Sequence, residues 1–189
     1  MTHFTVVYDA CVLYSAFLRN VFMHLGTAGI FRPKWTATIH EEWMRNLLKN
    51  RPDLSPERVT RIRTLMDAHI YDAIVMGYEE IVPQLSLPDP NDNHVLAAAI
   101  RSNASVIVTF NLDDFPQSCL APYEIEAQHP DEFLRHLIDL SRPSVLECMR
   151  TMRESLKRPE LSSDAFLDRL EKLGLPVSAQ ALRDYSDFI

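Results

Sequence analysis

Apolar positions along this chain follow two periods, and the switches between them mark out its elements. Residues 4–8 (FTVVY) form a short β-rich run of the buried kind, ending at Asp9. The dense apolar run over 10–25 then predicts a helix. A short strand or extended link over 31–35 leads to a helix opening at Thr36–Thr38, with Trp43, Met44 and Leu47 on its packed face. Residues 54–71 predict a second helix, with Ser55 as cap, Pro56 in the first helical position and an apolar stripe of Val59, Ile62, Leu65 and Met66. Residues 73–76, then Ile81 and Val82, read as a strand and its continuation. Pro88 and Pro90 hold Leu87 and Asp89 extended, so the next helix begins no earlier than about Asn91.

That helix is alanine-rich (residues 95–100, VLAAAI), a composition that favours helix over strand, and Asp92 stands at its start. Val106, Ile107 and Val108 then predict a buried strand that ends in Thr109, Asn111, Asp113 and Asp114. An edge strand over 123–127 and a helix over 130–140 follow, and beyond Ser141 the patterns are helical only: 144–158, 162–173 closed by Gly174 and Pro176, and 178–185. Strands alternating with helices predict an α/β domain with a mainly parallel sheet over 2–140, and the remainder a helical extension over 141–189.

The acids fall at element ends. In an open parallel sheet, a helix start and the carboxyl end of a neighbouring strand face one crevice, where such sheets place ligands. Asp9, Asp92 and Asp114 occupy such positions, and the chemistry they suit is a hard divalent cation. Each has a plainer reading as well: Asp92 as a helix cap, and Asp113 or Asp114 as turn formers before Phe115 and Pro116. Glu41 and Glu42 are adjacent on a helix and point about 100° apart, so one of them faces the crevice; Glu42 is favoured and Glu41 stays open. His40 and His94 lie beside candidate acids, and each reads equally as a packing histidine.

Composition narrows the alternatives. The chain has 189 residues, 47% hydrophobic and 24% charged, with no apolar run near the roughly 18 residues of a membrane span. Its first residues carry no secretory pattern, and the three cysteines, Cys11, Cys119 and Cys148, form no CxxC pair. The expectation is a cytoplasmic protein with reduced, mostly packing thiols. A net charge of −7 argues against indiscriminate coating of nucleic acid. Between Arg45 and Arg63, however, six bases face two acids, an excess of four positive charges that includes Arg45 and Lys49 as candidate phosphate contacts. Four glycines leave no glycine-rich phosphate loop, Cys11 stands where an Asp-x-Asp phosphatase needs its second acid, and neither HExxH nor GxSxG occurs.

The ordered set of Asp9 after the first strand, the segment TATIHEEW, the segment DPNDNHVLAAAI and the segment VTFNLDDF resembles the PIN domain, over residues 2–140. The resemblance implies a three-layer α/β/α fold with a central, mainly parallel sheet and a nuclease dependent on Mg²⁺ or Mn²⁺, acting mainly on RNA. By motif it implies Asp9, Glu42, Asp92 and Asp114 as catalytic and metal-holding acids, with Thr109 and Asn111 in support; Asn111 stands where some members carry aspartate. Small bacterial members of this kind resemble the VapC-like toxins of type II toxin-antitoxin pairs, which implies an RNA substrate, an antitoxin partner and a homodimer. A PIN-fold binding module without catalysis and a flap-type DNA nuclease are the alternatives.

Overall fold

A computed structural model describes residues 4–157 and 159–189. Thr2, where the first domain was expected to begin, and Arg158, the expected end of a tail helix, lie outside the described residues.

The first strand, β1 (Thr5–Tyr8), leads into a short α1 (Ala10–Tyr14) and α2 (Ala16–Thr27), which together fill the run predicted as one helix. Ser15 separates the two, leaving the helical region and accepting a hydrogen bond from the Leu18 amide. β2 (Arg32–Lys34), α3 (Ala37–Asn50), capped by Thr36, and α4 (Pro56–His69), capped by Ser55, follow. Then come α5 (Asn93–Arg101), β3 (Val106–Val108), α6 (Gln117–Leu120), β4 (Glu126–Gln128), α7 (Pro130–Ser155), α8 (Ser163–Lys172) and α9 (Pro176–Arg183).

The four strands form one parallel sheet in the order β2-β1-β3-β4. Because every pairing is parallel, the strands' carboxyl ends lie on one edge, and the residues just beyond them (Asp9, Trp35, Thr109, His129) gather there. Val6, Val7, Ile107 and Val108 are buried, as a sheet covered on both faces requires. Pro33 lies in β2 at the sheet's edge, where its missing N–H breaks no central ladder. On β1 the two-residue strand period puts Phe4 and Tyr8 on one side. There they meet Phe22 of α2, Phe31 and Phe133 of α7, with ring centroids 5.2–6.3 Å apart in pairs such as Phe31–Phe133 and Phe4–Phe133. The buried Ala97, Ala98 and Ala99 let α5 pack closely against β1 and β3.

Three sequence expectations are corrected. Residues 73–76 add only an isolated bridge between Trp35 and Ile74, and Val82 opens a turn of 3₁₀ helix (Val82–Gln84) with Pro83 inside it, whose fixed backbone and missing N–H suit a turn better than a strand. The last strand is β4, Glu126–Gln128, because Tyr123 closes another 3₁₀ turn and Glu124 is left-handed at φ 57°. Leu65, expected on the buried stripe, is 47% exposed, and α4 buries Val59 and Met66 instead.

α7 runs through the expected division at residues 140 and 141, but Ser141 is non-helical (φ −153°, ψ 66°). Pro143 is the physical cause: it lacks an N–H to bond Asp139 and crowds the preceding turn. Past this bend α8 and α9 fold back. Phe166 packs on Phe17 of α2 at 5.1 Å, and buried Asp131, in the first turn of α7, receives the Val177 and Ser178 amides at the start of α9. No described helix is long and apolar enough to cross a membrane.

Candidate active site

Beyond the carboxyl ends of β1 and β3 lies a polar cleft of about 420 Å³. Asp9 forms its floor at 5% exposure, its amide still in the ladder to the Val108 carbonyl at 3.1 Å. The Thr109 hydroxyl (2.7 Å) and the Cys11 thiol (3.0 Å) both donate to Asp9 Oδ2, which leaves Oδ1 for the cleft. Thr109 Oγ1 also accepts the Asn111 amide, and Cys11 Sγ accepts the Phe110 amide. These bonds tie the two strand ends into one rigid loop cluster. Burial first, and then the charge of Asp9, push the Cys11 thiol up to about 12, so it remains a protonated donor. Among thiols expected to be reduced and mostly packing, Cys11 is the one that bonds a candidate acid.

Glu42 comes from α3 and lines the cleft, whereas Glu41 is exposed. Its Oε1 accepts a hydrogen bond at 3.1 Å from Nε2 of His94, a residue only 8% exposed. His94 Nδ1 is buried without a hydrogen-bond partner. The histidine is thus held in α5 by burial and spends its one polar contact on Glu42. His40 is different: it sits between Trp35 and Trp43, bonded to Asp67 and to the Trp43 indole, and belongs to the core.

Asp92 closes a 3₁₀ turn (Pro90–Asp92) that Asp89 caps through the Asn91 amide, and makes no capping hydrogen bond to α5. The side chain is therefore not consumed by the helix start, and it lines the cleft. Partial burial raises its carboxyl to about 6, with further upward pressure from Asp9, Asp114, Asp89 and Glu42. Asp114, half-buried in the turn Leu112–Asp114, does not line the cleft but belongs to this field. Asn111 and Arg45 line the cleft; Lys49 is exposed on α3 and does not.

The donor set fits a hard cation. The cleft offers carboxylate and amide oxygens, the one thiol stays protonated, and burial together with neighbouring carboxylates raises the Asp92 carboxyl. Among the described residues, no three His, Cys, Asp or Glu side chains stand close enough to enclose an ion by themselves.

Sequence reading missed Tyr14, Asn46 and Asn50, which line the same cleft. A signal was present for two of them: Glu42, Asn46 and Asn50 recur every four residues along one face of α3. A second cavity, about 430 Å³ between α2 and α4, is lined largely by apolar groups such as Met23, Ile62 and Met66 and holds none of the predicted acids.

A parallel sheet with acids converging at its carboxyl edge defines the class, and comparison with known families agrees. Residues 5–113 match the PIN domain, and the chain belongs to that family. Residues 130–184 match the VapC50 C-terminal domain, a region that starts with α7 and spans the folded-back tail. Among curated relatives, the protein named "Putative ribonuclease VapC50" from Mycobacterium tuberculosis (strain ATCC 25618 / H37Rv) is 36% identical over 111 residues. That match covers 59% of this chain and 65% of the relative, just under two thirds of its length. No solved structure matches the chain.

Proposed function

We propose that this protein is a metal-dependent endoribonuclease and the toxin of a toxin-antitoxin pair. The observation that carries the reading is the convergence of Asp9, Glu42 and Asp92 on one cleft, with Asp114 in the same field. The relative named as a ribonuclease supports RNA as substrate. Asp9, through Oδ1, and Asp92 would hold Mg²⁺ or Mn²⁺ directly, with Glu42 and Asp114 acting through water or orienting the attacking water. When bound, the ion supplies an activated water and offsets charge on the phosphodiester transition state.

The protein's own groups do the rest. Thr109 and Cys11 fix the Asp9 carboxylate through one oxygen, and Asn111 is set by its amide bond to Thr109. His94 holds Glu42. Arg45, which lines the cleft, would receive a phosphate. An antitoxin that covers the cleft and a homodimer complete the proposal. A second reading, a PIN-fold module that binds without cutting, draws on the open spacing of the acids.

The test is cleavage of an RNA and DNA panel by purified protein in Mg²⁺, in Mn²⁺ and in EDTA, with Asp92→Asn as control. RNA cuts that need metal and fall at least about a hundredfold in the variant are expected. Metal binding with no cuts would favour the binding module, and preferential DNA cutting would overturn the substrate.

A further inference from the structure

Besides Arg45, the cleft is lined by the carboxylates Asp9, Glu42 and Asp92 and by the uncharged Tyr14, Asn46 and Asn50. A phosphodiester is drawn to the carboxylates only where a cation offsets them, and the uncharged groups then stand in the same cleft to meet the nucleoside joined to that phosphate. Two of them are already linked. Asn50 Nδ2 donates to the Tyr14 hydroxyl at 3.2 Å, linking the end of α3 to the last residue of α1. The bond restrains the phenol ring and leaves Asn50 Oδ1 and the Tyr14 O–H for a ligand. Asn46 and Asn50 stand one and two steps of about 6 Å from Glu42 along the helix, so the amides lead outward from the acids.

We propose that Tyr14, Asn46 and Asn50 form a nucleobase subsite, which receives one unpaired base of single-stranded RNA next to the phosphate held at the acids. This rests on the nuclease reading above and adds the residues that meet the base. An aromatic ring offers a stacking face to any base, and carboxamides carry both donor and acceptor for a base edge. Neither can be used on a base that is stacked and paired inside a duplex, so the subsite selects unpaired RNA. Arg45, the first of the bases in the positively charged run 45–63, lines the same cleft and favours the strand's backbone.

The experiment measures anisotropy and cleavage with a fluorescent single-stranded RNA carrying one abasic nucleotide at successive positions. The full-length protein is compared with Tyr14→Ala, Tyr14→Phe and the exposed-site variant Asn46→Ala, in Mg²⁺. Tyr14→Ala is expected to weaken binding and raise KM about tenfold, with Tyr14→Phe closer to the parent. At one position the abasic change should cost the parent about tenfold and cost Tyr14→Ala nothing, because both remove the same contact. Asn46→Ala should alter which base is preferred there. Independent penalties at every position, or duplex RNA bound as tightly as single strand, would overturn the subsite even if metal-dependent cutting persists. Coupled binding without cutting by any RNA would keep the subsite and sink the nuclease reading, and neither binding nor cutting would sink both.

Discussion

Asp9 and Asp131 are buried almost equally, at 5% and 6% exposure, but their surroundings are opposite. Asp131 uses both oxygens on backbone amides of α9, Val177 at 2.9 Å and Ser178 at 2.8 Å, and its own carbonyl accepts the Ser178 hydroxyl. It also sits in the first turn of α7, where the helix dipole favours a negative charge. Asp9 receives two side-chain donors on one oxygen and shares a cleft with other carboxylates. One acid fastens the start of α9 to the start of α7; the other shares a cleft with further carboxylates. Burial alone therefore does not separate an aspartate that joins two helices from one that lines a cleft of carboxylates, and the kind of partner does.

The largest contrast comes from removing the two charges. Asp9→Asn should abolish metal-dependent cleavage, at least about a hundredfold, while the protein stays folded. Asp131→Ala should leave two buried amides without an acceptor, at about 3 kcal/mol, and lower Tm by roughly 6–12 °C. Thermal melts and cleavage rates on the same samples check both, and a stable, active Asp131→Ala protein would break the comparison.

A smaller effect concerns pH. The folded-state value of Asp92, about 6, lies above its ordinary value of 3.8, so the folded protein binds the extra proton. The associated stability is fully present below about 4 and is lost as pH rises through 6. In EDTA, Tm of the parent should fall across that window, and Asp92→Asn should flatten the fall. Added Mg²⁺ should raise Tm of the parent at pH 8 and have less effect on the variant. An equal slope in both proteins would show that Asp92 is not the titrating group.

The smallest expected effect is at His94. His94→Ala leaves Glu42 without its Nε2 donor and should weaken Mg²⁺ binding about tenfold, read by calorimetry, with His94→Gln recovering part of the loss. A variant that binds Mg²⁺ like the parent would mean that Glu42 holds its position unaided.

Much of this was legible in the residues. The run FTVVY ending at Asp9, the alanine-rich α5 and the VIV strand are local patterns whose period and composition decide the element, and the acids at their ends follow from chain order. The proline-rich link also announced where α5 could start. The misplaced strand at Ile81 and Val82 failed because β-branched composition was weighed without Pro83, whose ring decides the backbone there.

The sequence by itself determined most of the helices and strands and which acids stand at their ends, because local backbone preference and hydrophobic period act over a few neighbours. Only the tertiary structure decided that Glu42 rather than Glu41 lines the cleft, that Cys11 and Thr109 share one oxygen of Asp9, and that Tyr14 joins Asn50 in that same cleft. It likewise separated Asp131 from Asp9. Those choices depend on contacts between residues up to 100 positions apart, where helix rotation and strand register set which side chains meet.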